Sequence, residues 1–168
     1  MLRVALFLLS YLRLRMQHSL HPKKTHDIIE NNNFSEVLMK QVEIATAIIM
    51  KDHKILTTRR GYGQFINLWE FPGGKIESGE TTEEALIREL QEELAVEVIP
   101  EKLFMTTEYD YPDFHLTMHC YLCSIKKGTI TLLEHNGAKW LDKDHLDTVE
   151  WLPANHPVIN GLREMLSL

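Results

Sequence analysis

Between Glu80 and Glu93 the chain carries Arg88, Glu89, Glu92 and Glu93 on a stretch that reads as one helix. Glu89 lies three and four residues before Glu92 and Glu93, and that spacing stacks the carboxylates on neighbouring positions of one helical face. Like charges so placed destabilise a helix and raise one another's pKa. A divalent cation would offset the repulsion, and several hard oxygen ligands suit Mg²⁺ or Mn²⁺. The plain alternative is an acidic helix that turns one solvated face to water.

The spacing from Gly74 onward separates the two. The segment reads G-x5-E-x7-R-E-L-x-E-E, running from Gly74 through Glu80 to Arg88, Glu89, Leu90, Glu92 and Glu93. It resembles the Nudix box of the Nudix hydrolases, with Ala95 standing where the family usually has glycine. Many fixed residues at defined spacings carry far more information than a lone glycine motif. The resemblance implies that Glu89, Glu92 and Glu93 are metal ligands or bases and that the Gly73–Gly74 backbone supplies a carbonyl. Glu93 is the strongest ligand candidate and Glu89 the first candidate for positioning or deprotonating water. Arg88 is expected to orient carboxylates through charge-assisted bonds. Glu80 either supports that group or sits ahead of the helix N-terminus. Alanine at 95 either costs about 1 kcal/mol in a left-handed helix end or ends the helix another way.

Positioning these groups requires a strand–loop–helix unit, and the surrounding chain supplies one. Residues 41–50 and 55–58 read as a hairpin about a polar turn at 51–54. Residues 68–71 read as a short strand that Pro72-Gly73-Gly74 terminates. Thr81 and Glu84 form a capping box for the acidic helix, whose apolar side is Ala85, Leu86, Leu90 and Leu94. Pro100 is expected to bound the region after that helix. Strands are expected at 103–111, 115–125, 129–133 and 138–141, a helical turn at 145–148, and a terminal helix at 155–166. This pattern predicts an α+β domain, and the resemblance sharpens it to a Nudix-type α/β/α sandwich around a mixed β-sheet.

The chain has 168 residues and a formal net charge of −6, with histidine counted as neutral. That length suffices for one domain with a real core. The negative balance argues against a nucleic-acid polymer as partner. Cys120 and Cys123 make no disulfide framework, so a reducing cytoplasm is the expected compartment. They also do not make a zinc site with His115 and His119, because residues three apart on a strand point to opposite faces. His135, His145 and His156 are scattered and imply nothing alone.

Residues 1–38 read as an N-terminal extension outside the fold, and residues 39–168 as the Nudix domain. The apolar run at 4–14 is too short to span a membrane and lacks a clear signal-peptide cleavage site. A weak anchor, a mobile extension and an upstream start-codon artefact are the open readings, with an artefact or dispensable extension favoured. A monomer or homodimer is expected.

Beyond the box the chain looks like the MutT branch, the nucleotide-pool pyrophosphohydrolases that act on 8-oxo-dGTP. The matching segments are Trp69-Glu70-Phe71-Pro72-Gly73-Gly74-Lys75-Ile76-Glu77, Tyr109-x-Tyr111-Pro112-Asp113-x-His115 and Pro153-Ala154-Asn155-His156-Pro157-Val158-Ile159. The resemblance implies that Arg60 contacts phosphate, that Glu70, Phe71, Pro72 and Gly73 line the nucleotide site, and that Asn155 reads the base. An amide offers donor and acceptor together, although asparagine is also a favoured helix N-cap. Glu134 matches an additional acidic residue that serves the metals or the water, or is an ordinary loop glutamate. Phe114 stands where the best-known member of the branch has arginine, and either stacks on a base or packs in the core.

The function so implied is Mg²⁺-dependent hydrolysis of a nucleoside triphosphate to monophosphate and pyrophosphate, with 8-oxo-dGTP as lead substrate. CTP, dCTP or modified pyrimidine nucleotides are the second reading. A nucleotide-binding module without turnover is the third, and such a module would be expected to lose box carboxylates that this chain keeps.

Overall fold

The computed structural model describes residues 39–167, and the expectations for residues 1–38 lie outside them. The strands are β1 Lys40–Lys51, β2 Lys54–Arg59, β3 Trp69–Glu70, β4 Gly73–Lys75, β5 Val96–Tyr111, β6 Phe114–Gly128 and β7 Gly137–Leu141. Helix α1 spans Thr82–Leu94 and α2 spans His156–Met165, with 3-10 turns at Leu146–Thr148 and Pro153–Asn155. The mixed sheet has the order β3-β2-β1-β6-β5, with β4 added to β1 and β7 to β2. β1 and β6 are parallel, from Lys40 opposite Phe114 to Ile49 opposite Cys123.

β1 shows why the domain is layered. Ala45, Ala47 and Ile49 pack with Leu86, Leu90 and Leu94 of α1. Ile48 instead joins the core that holds Val158, Ile159 and Leu162 of α2. Side chains alternate across a strand, so one apolar run buries both faces of the sheet. The result is the α/β/α sandwich expected from the sequence. The same alternation separates the cysteines, with Cys120 in the α2-side core and Cys123 in the α1-side core. Burial pushes their thiols up, to about 11 and about 12 respectively.

Local chemistry sets the boundaries around α1. Thr81 accepts from the Glu84 amide, and the Glu84 side chain accepts from the Thr81 amide, as the capping box requires. At the other end Ala95 adopts φ 56°, ψ 32°, the left-handed conformation that favours glycine. Replacing Ala95 with Gly is therefore expected to stabilise the domain by about 0.5–1 kcal/mol. Urea unfolding with an unchanged denaturant slope would register it, and an unchanged midpoint would contradict the assignment.

Three expectations are corrected. Gly73–Gly74 do not merely end a strand; they begin β4, which pairs antiparallel with β1 through Gly73–Thr46, Gly74–Ala45 and Lys75–Ile44. Only a residue without Cβ fits there, because a Cβ on Gly73 would stand 2.8 Å from the Thr46 Cα. Pro100 bounds nothing. It sits inside β5 at a register shift, where among the described residues β5 pairs with β6 alone, and a bulged edge strand tolerates its missing N–H. Residues 129–133 are not a strand. Thr131 N donates to Leu94 O and Leu133 N to Glu93 O, both at 2.9 Å, satisfying carbonyls that the end of α1 leaves free. That docking fixes where residue 134 emerges.

Candidate active site

α1 presents its acidic face to β4 and to the loop after β6. Arg88 is the organising residue. Its Nε donates to Glu80 Oε1 at 2.6 Å and its Nη2 to Glu80 Oε2 at 2.8 Å. The same guanidinium donates to Glu89 Oε1 at 2.8 Å and to the Lys75 carbonyl at 2.9 Å. Glu92 stands 3.9 Å away and is half-exposed. Glu80 thus anchors Arg88, and Arg88 orients Glu89. The Arg88 bond and the Glu77 amide hold the Glu80 carboxyl at about 2.

Gly74 makes room for Glu89. A Cβ at position 74 would stand 2.5 Å from Glu89 Oε2 and 2.6 Å from Oε1. Glu93 lies deeper, and its Oε2 accepts from the Gly73 amide at 2.9 Å. Burial pushes the Glu93 carboxyl well above the ordinary range, and the charges of Glu70, Glu89 and Glu134 push it the same way. Burial also raises Glu89, against the pull of Arg88.

A pocket beside these groups is lined by Arg60, Gly61, Tyr62, Glu70, Glu93, Glu134 and His135. Arg60 Nη1 donates to both Glu70 oxygens, at 2.7 and 3.0 Å, while its Nε is buried without a partner among the described residues. Arginine offers a planar fork of donors, so a spare N–H beside a cleft suits a phosphate oxygen. Glu134 belongs to this pocket rather than to an uncommitted loop.

Two lining residues carried no signal in the sequence. His135 is almost wholly buried, with Nε2 3.4 Å from Glu70 Oε1 and 4.0 Å from Glu93 Oε1. Tyr62 Oη donates to Glu134 Oε2 at 2.7 Å, and burial together with that bond raises its phenol. Neither lies at a recognisable spacing from the acidic helix.

Other candidates fall elsewhere. Phe71 and Pro72 are buried. Phe71 packs on Trp151 with ring centroids 5.1 Å apart, and the Pro72 carbonyl accepts from Ala47 N at 2.8 Å. The side chain of Phe71 therefore packs in the core, while Glu70 lines the pocket and the Gly73 amide holds Glu93. Phe114 stacks on Tyr111 at 4.7 Å and packs against the α2-side core. Asn155 precedes α2 but makes no side-chain cap bond. It is 2% exposed, and its Oδ1 is buried without a partner among the described residues. Capping therefore does not account for this amide.

The donor set fits a hard divalent cation. Crowded, partly desolvated carboxylates raise one another's pKa, and a cation among them relieves that cost. Among the described residues no three acid or imidazole groups already converge as ligands would. Glu89 is turned onto Arg88 and Glu93 onto Gly73 instead. No described helix is long and apolar enough to cross a membrane.

A family profile described as NUDIX domain matches residues 39–164. The 8-oxo-dGTP diphosphatase of Escherichia coli K12 is 37% identical over 129 residues, covering 76% of this chain and 100% of that protein. The CTP pyrophosphohydrolase of the same strain is 31% identical over 124 residues, covering 73% and 92%. Among solved structures, the DNA mismatch repair protein MutT (family Nudix hydrolase) from methicillin-resistant Staphylococcus aureus 252 superposes with TM-score 0.61 at 34% identity, covering 76% and 99%.

Proposed function

The chain belongs to the Nudix family, and from that premise we propose that it hydrolyses nucleoside triphosphates to monophosphate and pyrophosphate, with 8-oxo-dGTP as preferred substrate. It would thereby cleanse the cytoplasmic nucleotide pool of an oxidised precursor and limit mutation during DNA replication and repair. The observation that carries the reading is Glu89 held against Gly74, in space that a Cβ would fill, beside Glu93 held by the Gly73 amide.

Glu89, Glu93, Glu134 and the Gly73–Gly74 backbone would hold Mg²⁺ or Mn²⁺, which supplies charge neutralisation for the phosphate chain and acidifies a water. Glu89 would accept the proton of the attacking water, and burial raises its carboxyl against the pull of Arg88. Arg88 keeps Glu89 aimed, and the half-exposed Glu92 stands 3.9 Å from the same guanidinium. Arg60 offers its uncommitted Nε to phosphate. Asn155 offers its amide to the base.

A second reading takes CTP or dCTP as substrate. It is favoured by the CTP-hydrolysing relative and by Phe114 standing where the best-known MutT enzyme has arginine. Incubation with Mg²⁺ and 8-oxo-dGTP, dGTP, CTP and dCTP separates the two by kcat/KM. A pyrimidine preference would move the assignment to the second reading, and no turnover of any of the four would remove both. Asn155→Ala is expected to lower kcat/KM for the preferred purine nucleotide about tenfold, the worth of roughly one well-placed hydrogen bond. An unchanged value would take Asn155 out of base recognition.

A further inference from the structure

Gly61 and Tyr62 lie on the loop between β2 and β3, far in sequence from the acidic helix, yet both press on Glu134. Tyr62 Oη donates to Glu134 Oε2 at 2.7 Å. A Cβ on Gly61 would stand 2.7 Å from the Glu134 carbonyl oxygen, so the close approach of the two loops depends on glycine. The loops are also sewn together beside this point. Asn136 N donates to Arg59 O at 3.0 Å, and Arg59 Nε donates to Asn136 Oδ1 at 2.7 Å. On the other flank Leu133 N is tied to the Glu93 carbonyl. The backbone around Glu134 is therefore fixed from both sides.

Its side chain is not fixed by packing, because Glu134 is exposed. A glutamate left free there loses much rotamer freedom whenever it is called into one geometry. Tyr62 removes that freedom in advance. Tyr62 is 56% exposed, so core packing does not explain the residue. A carboxylate accepts about four hydrogen bonds over two oxygens. The phenol takes one site on Oε2, and Oε1 stays available.

We infer that Tyr62 is a positioning residue of the hydrolase: its hydroxyl holds one oxygen of Glu134 so that the other faces the reacting centre beside Glu93. This rests on the hydrolytic reading above. A phenylalanine would keep the ring and lose the function.

The test is a double-mutant cycle in the full chain with Tyr62→Phe, Glu134→Ala and the pair, assayed with Mg²⁺ and both 8-oxo-dGTP and CTP. Tyr62→Phe is expected to lower kcat about tenfold, in the range of partners that orient a ligating group, while KM and the melting temperature stay put. In the Glu134→Ala background the same change should do nothing more, because the partner it positions is gone. Two outcomes overturn the role while leaving the enzyme reading intact: a wild-type kcat in Tyr62→Phe, or losses that multiply in the pair. An inactive wild-type protein removes the premise and overturns both.

Discussion

Glu93→Gln lowers kcat by about 1,000-fold, at the upper end of what one electrostatic group at a reaction centre supplies, and at neutral pH it makes the cation-free protein more stable. Both effects come from one carboxylate. Glu93 accepts the Gly73 amide, and around it stand Glu70, Glu89, Glu134, Arg60 and His135. Burial, first, and the three acidic neighbours, second, raise its pKa in the folded state. The folded protein therefore holds this proton more tightly than the unfolded chain does. Stability from this group is fully present below the unfolded pKa and is lost as pH rises through the folded one. Glutamine keeps an oxygen for Gly73 N–H and has no charge to desolvate, so the cation-free variant should lose that part of the pH dependence. It should also lose the rise in melting temperature that Mg²⁺ gives the wild type. Calorimetry with and without Mg²⁺ between pH 5 and 8, beside pyrophosphate release, measures all three. A variant that keeps kcat within about tenfold of wild type would remove Glu93 from the reaction.

What could be read from the sequence was local. The acidic helix and its capping box span a few turns, and their residues meet at fixed helical offsets. The pattern of residues 41–50 read as a partly buried strand, and the order of strands and helices made the α+β class legible, which the family resemblance sharpened to a sandwich. Tyr62 and His135 could not be found this way, since they reach the site through contacts 72 and 65 residues away in sequence. Nothing in their neighbours' periodicity encodes a loop-to-loop approach. The segment from Glu70 to Pro72 shows how a contiguous motif mixes purposes. Glu70 turns to the pocket, and the next residue turns into the core, because side chains alternate along an extended segment. The β4 pairing was hidden by composition. Glycines normally signal a turn, and here their missing side chains are what lets a strand lie against β1.

Gly74→Ala and Gly73→Ala, one position apart, should fail in different ways. At Gly74 the new methyl would meet the Glu89 carboxylate, the far end of a side chain that can rotate away. The fold should survive at near wild-type stability, but Glu89 would leave the Arg88 Nη1 that holds it at 2.8 Å. Displacing a reacting group by about 1 Å costs on the order of 100-fold, so kcat should fall by about that much. At Gly73 the methyl would meet β1 backbone, the Ala45 carbonyl and the Thr46 Cα, which cannot step aside. Its φ of 141° also lies where residues with a Cβ are strained. Overpacking and backbone strain together predict a loss of about 3 kcal/mol or more. Denaturant unfolding and steady-state kinetics on both variants decide the matter. If Gly74→Ala were as active as wild type, Glu89 would not need its present place. If Gly73→Ala unfolded at the wild-type midpoint, the pairing of β4 on β1 would not be what holds this turn.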